Sequence, residues 1–155
     1  MAYKVNLSIH DDIKKALRYM LDGWRQEQYR KANYSCFITK KCNRTKNKAK
    51  NRTIHLDIHH MNISFEETIQ MAHKRTGIKR HQYKYQYQPG EFDKVAQEVI
   101  RIHQEEVIAV CLEHNTHMYL HQKYGNNFSM EQLKEYKRTY GTRRYKAING
   151  KKKSA

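Results

Sequence analysis

Residues 53–60 read TIHLDIHH, and residues 110–127 read VCLEHNTHMYLHQKYGNN. The first stretch alternates. Ile54, Leu56 and Ile58 fall on one side of an extended chain, with His55, Asp57 and His59 on the other. His59 and His60 are adjacent at its end, so the strand must bend or stop there if both are to serve one place. Met61 and Asn62 follow at once. In the second stretch a helix is expected over 115–124, ended by Gly125. His117 and His121 stand four residues apart on it, and so share one face. The spacing His-x-x-x-His is a common way for one helix to offer two imidazoles to one metal. A third imidazole from a strand end would complete a facial trio and leave positions open for water and phosphate oxygen.

Working outward from these stretches, residues 11–32 predict an amphipathic helix, with Ile13, Leu17, Met20, Leu21 and Trp24 at helical spacing and Ser8 or Asp11 as its cap. Residues 34–39, YSCFIT, are β-prone. Residues 40–52, KKCNRTKNKAKNR, form a basic polar loop whose cations cluster just before the strand that ends in two histidines. Ser64 and Glu67 have the capping-box spacing and predict a helix to about Lys74. Residues 76–90 read as a basic, tyrosine-rich connector closed by Pro89 and Gly90. A helix over 91–105 places Phe92, Val95, Val99 and Ile102 on one face, and a short apolar strand follows at 107–110. Ser129 and Gln132 repeat the capping-box spacing before a helix to about Tyr140, and residues 141–155 read as a flexible basic arm. There is no internal repeat.

Charge narrows the partner. Lys and Arg number 31 against 15 Asp and Glu, a net charge of +16. Such an excess repels itself in a compact state, and a polyanion relieves it with a gain in counterion entropy. Nucleic acid is the expected partner. A membrane surface is the runner-up, but no basic helix with a clean apolar face supports it. No stretch approaches the roughly 20 apolar residues of a membrane span, and the opening residues lack an apolar run of signal-peptide type. Three cysteines are too few for a disulfide framework and suit a reducing cytosol. Cys36 and Cys111 are expected as small core residues. A zinc site built from Cys36, Cys42 and Cys111 with a histidine is the alternative. Ten histidines are the compositional oddity. Of these, His10, His55, His73, His81, His103 and His114 read as surface or packing residues.

Taken together, YSCFIT at 34–39, LDIHHMNISFEE at 56–67 and VCLEHNTHMYLHQKYGNNFSMEQLKEYKRTYG at 110–141 resemble the HNH homing endonucleases of phages and their introns. The first two stretches look like that family's strand pair, and the last like the second half of its nuclease motif. The resemblance implies an α+β fold, a small, mostly helical domain around a ββα-metal motif with short strands. It implies a helical segment at 1–33, a nuclease domain at 34–141 with a long insertion between the motif halves, and a basic tail at 142–155. It further implies metal-dependent hydrolysis of DNA phosphodiesters in a bacterial host's cytoplasm. His60 would be the general base, and His59, His117 and His121 the metal ligands. Asn62 would be the bracing asparagine of the family name, with Asn115 second. Magnesium is the first expectation for the ion, with manganese, zinc or nickel as alternatives.

The chemistry suits these residue types. A phosphodiester repels anions, a divalent cation stabilises charge on its oxygens, and a base near neutrality activates water. Asp57 could orient one imidazole, or ligate the ion itself. Double-stranded DNA, met by a monomer or a homodimer, would contact Lys40, Lys41, Arg44, Lys46, Lys48, Lys50 and Arg52 in the loop. Further contacts would come from Lys79, Arg80 and Lys84 in the connector and Arg143 and Arg144 in the tail. The connector's tyrosines could stack on bases or pack inward. A non-catalytic, basic nucleic-acid-binding protein is the alternative function.

Overall fold

The computed structural model describes residues 11–42 and 54–153, with side chains as far as residue 141. Six α-helices carry most of the described residues: α1 Ile13–Met20, α2 Asp22–Lys31, α3 Phe65–Thr76, α4 Glu91–Glu105, α5 His114–Tyr124 and α6 Met130–Lys153. Two strands, β1 Leu56–His60 and β2 Ala109–Glu113, form one antiparallel sheet. The fold is α+β and mostly helical. No described helix is long and apolar enough to cross a membrane.

The chain divides into two compact units, Met1–Glu27 with Ile63–Ile108, and Gln28–Asn62 with Ala109–Ala155. In the first, α4 is the central element. Phe92, Val95, Val99 and Ile102 are all buried, as their spacing predicts, and α3 and α1 pack on this helix. Helix α3 starts at a complete capping box. The Ser64 hydroxyl accepts from the Glu67 N–H at 3.2 Å, and the Glu67 carboxylate accepts from the Ser64 N–H at 2.7 Å. The first helix departs from expectation in two ways. Its cap is Asp12, which accepts from the Lys14 N–H at 2.9 Å, and a one-residue turn at Leu21 divides it. Helical hydrogen bonds continue across that turn, from Leu21 to Leu17 and from Arg25 to Leu21.

The connector's tyrosines divide between the core and the surface. Tyr87 is buried, and its hydroxyl meets His73 Nε2 at 2.7 Å. Because His73 Nδ1 faces the Ile69 carbonyl at 2.8 Å, that nitrogen carries the proton and Tyr87 is the donor. Tyr85, stacked on Tyr83, is 73% exposed.

In the second unit, the register pairs Leu56 with Glu113, Asp57 with Leu112, Ile58 with Cys111, His59 with Val110 and His60 with Ala109. The partner of the histidine strand is therefore 109–113, later than the expected 107–110. The YSCFIT stretch does not supply a strand. Asn33, Tyr34 and Lys40 adopt left-handed backbone conformations around it, and only an isolated bridge joins Ser35 to Cys42. Those turns keep 34–39 from extending along a neighbour. Its side chains still serve the core, where Cys36, Ile38, Leu56, Cys111, Leu112, Leu120, Phe128 and Leu133 are buried together. Cys36 and Cys111 are free, buried cysteines, as expected of small core residues. The Ser129–Gln132 box forms, with reciprocal bonds of 2.8 and 3.1 Å, but α6 runs on to Lys153 instead of ending near Tyr140.

Candidate metal centre

Strand β2 passes directly into α5, with Glu113 as the junction, and α5 packs against both strands. This sets the polar face of β1 opposite the histidine stripe of α5. His59 and Asp57 project from the strand, and His114, His117 and His121 from the helix at spacings of three and four.

Three imidazoles converge. His59 Nδ1 lies 2.9 Å from His117 Nε2, and His121 Nε2 lies 2.8 Å from the same atom. Their other nitrogens decide the protonation. His117 Nδ1 faces Asp57 Oδ2 at 2.9 Å, and His121 Nδ1 faces the Gly125 carbonyl at 3.3 Å. A carboxylate and a carbonyl only accept, so both Nδ1 atoms carry hydrogen and both Nε2 atoms present lone pairs. Two lone pairs 2.8 Å apart repel unless a proton or a cation lies between them.

Burial argues against a proton on His59 or His117. His59 is 7% exposed, and desolvation, with the neighbouring His117, His121 and His60, holds its pKa down to about 3. His117 is also pushed below the ordinary histidine value, mainly by desolvation, against the opposing pull of its bond to Asp57. Burial would raise the Asp57 pKa, but hydrogen bonds from His117 and His114, and their charge, together bring it below the usual value. The carboxylate therefore stays ionised and orients His117.

His59 packs against an aromatic floor. Its ring stacks on Phe128 with centroids 4.1 Å apart and planes within 9°. Its Nε2 is buried without a hydrogen-bond partner. Three converging imidazoles, two with Nε2 lone pairs directed at the meeting point, fit a divalent ion. His59, His117 and His121 are positioned to hold one.

The other predicted residues are placed as follows. His60 ends β1, half-buried, and is not among the three converging rings. Asn62 is exposed in the bend after β1, and Asn115 is exposed in the first turn of α5. Lys41 Nζ is 3.2 Å from Glu113 Oε1, and Lys40 Nζ lies over the Phe37 ring at 5.7 Å. In the other unit, Arg80 pairs with Glu66, Lys84 lies over Phe92 at 4.8 Å, and Lys79 is exposed. Arg44, Lys46, Lys48, Lys50 and Arg52 lie outside the described residues, as do the side chains of Arg143 and Arg144. Among the described residues, no cysteine joins a group able to hold a metal.

Two histidines acquire a role that spacing alone did not give them. His114 Nδ1 is 2.7 Å from Asp57 Oδ2, and His55 Nε2 is 3.5 Å from Asp57 Oδ1. The available signal was the i, i+3, i+7 stripe of His114, His117 and His121, facing the His55–Asp57–His59 alternation.

No family model, curated protein or solved structure matches the chain.

Proposed function

We propose that this chain is a divalent-metal-dependent endonuclease of the HNH kind, hydrolysing phosphodiester bonds of double-stranded DNA. The observation that carries the reading is the meeting of His59, from the end of β1, and His121 of α5, each within hydrogen-bond distance of His117 Nε2. The net charge of +16 supplies the attraction for a polyanion.

In this reading His59, His117 and His121 hold the ion, and Asp57 keeps the His117 ring oriented and its Nε2 basic. The ion supplies charge stabilisation at the phosphate and at the departing oxygen. His60, next to the ligand His59, accepts a proton from the attacking water through an imidazole nitrogen. Asn62 braces the bend that follows these two neighbours. Lys40 and Lys41 contribute phosphate contacts from the loop before the strand. An all-imidazole protein set favours zinc or nickel over magnesium or manganese.

Metal-stripped protein incubated with supercoiled plasmid, with and without each of these ions, tests the reading. The expectation is nicking or linearisation that appears with metal and stops with EDTA. Tight, salt-sensitive binding without cutting of any DNA, under every metal, would favour the non-catalytic binding protein instead.

A further inference from the structure

Asp57 faces two histidine groups, and the proposed nuclease centre uses only one of them. On its other side stand His55 and His114. The backbone fixes both: the His114 N–H donates to the His55 carbonyl at 2.9 Å, just past the last ladder pair of Leu56 and Glu113. The two rings meet edge to face, with centroids 5.3 Å apart. Donor atoms of His55, Asp57 and His114 all lie within 4.8 Å of one another.

Hydrogen bonding accounts for His114, whose Nδ1 lies 2.7 Å from Asp57 Oδ2, but not for His55. The His55 Nε2 to Asp57 Oδ1 separation of 3.5 Å is long for a hydrogen bond, and among the described residues the His55 ring makes none. The side chains of His55 and His114 are 76% and 48% exposed, and contacts between exposed charged groups add little stability. A shared cation accounts for the His55 to Asp57 separation of 3.5 Å. Ligand atoms bound at about 2.0–2.2 Å from one ion lie about 3–3.5 Å apart.

We propose that His55, Asp57 and His114 form a second cation site, suited to a borderline transition ion such as Zn2+, Ni2+ or Co2+, which shares Asp57 with the first centre. Asp57 Oδ1 and the two imidazoles are its ligands, and solvent fills the remaining positions. Asp57 Oδ2 keeps its bond to His117 Nδ1. On loading, His114 Nδ1 exchanges its proton for the ion, and the proton moves to Nε2 through solvent, a tautomer change without change of net charge. Two imidazoles with one carboxylate suit these ions better than Mg2+ or Ca2+, which prefer oxygen ligands.

The test is a Co2+ and Zn2+ titration of the full chain after stripping with chelator, read by calorimetry and by metal content after gel filtration. Three proteins are compared: wild type, the double variant His55→Ala/His114→Ala, and the double variant His117→Ala/His121→Ala. The expectation is two ions per chain in wild type and one in each double variant. The His55→Ala/His114→Ala protein should also keep the thermal shift that the first ion produces. Equal ion counts in wild type and His55→Ala/His114→Ala would overturn the second site. That result leaves the first centre standing, because the first centre is read from the His117→Ala/His121→Ala protein. Both substitutions at the second site change exposed side chains, so folding is checked simply by circular dichroism.

Discussion

The Nε2 atoms of His117 and His121 face each other at 2.8 Å, while each ring's Nδ1 is committed to an oxygen that can only accept. The rings are held as a pair of bases with nothing of their own to share. Replacing either by alanine should abolish the thermal stabilisation that Zn2+ or Ni2+ gives the protein through this site. In wild type that stabilisation is about 2.7 kcal/mol at an ion concentration one hundred times the dissociation constant. Thermal unfolding with and without metal measures it.

Asp57 is a positioning residue for His117. Asp57→Asn keeps the size of the side chain but removes the charge that keeps the His117 Nδ1 proton in place. Metal affinity at the first centre should fall by about 10–100-fold, with the fold intact. Calorimetric titration in the His55→Ala/His114→Ala background isolates that effect from the second group of histidines.

Four buried or largely buried histidines are held below their ordinary pKa: His59 at about 3, and His73, His103 and His117 in the same direction. Desolvation is the leading cause in each. Above pH 6.5 these rings are neutral in both folded and unfolded chains, and their contribution is constant. Below it the unfolded chain takes up protons that the folded chain refuses. Stability should therefore fall as pH drops from about 6.5 toward the folded values, by at most about 1.4 kcal/mol per pH unit for each ring. Unfolding in EDTA at about pH 7.5 and about pH 5 should show a markedly lower midpoint in acid. An unchanged midpoint would contradict the burial of these rings.

Phe128 is 1% exposed and forms the floor on which His59 stacks. Phe128→Ala should cost about 3–5 kcal/mol by leaving a cavity, and should weaken metal binding by loosening the His59 ring. Phe128→Leu should recover most of the stability and little of the metal affinity. Denaturant unfolding and metal titration on the two variants separate these effects.

Period and capping made the helical parts legible. The 91–105 helix, the two capping boxes and the Gly125 terminus follow from local chemistry, which tertiary packing did not override. The histidine strand was equally plain, because its alternation is strict. Its partner was not. YSCFIT has the better strand composition, yet left-handed residues at Asn33, Tyr34 and Lys40 fold it into turns. The strand that pairs instead arrives only after residues 61–108, and no local pattern encodes a pairing of that range. The meeting of His59 with His117 and His121 follows from that pairing. The His55–Asp57–His114 group was hidden for the same reason, since its members are separated by 57 positions along the chain between Asp57 and His114.

The most direct test of the account compares wild type with His60→Ala on supercoiled plasmid and on a pooled random-sequence DNA, so that a rare target is represented. Both proteins are supplied with Zn2+ or Ni2+ and brought to equal DNA occupancy. The account predicts metal-dependent cutting by wild type, a loss of about 10²–10⁴-fold in His60→Ala, and unchanged DNA affinity. Cutting at the wild-type rate by His60→Ala, or loss of DNA affinity in proportion to loss of cutting, would contradict it.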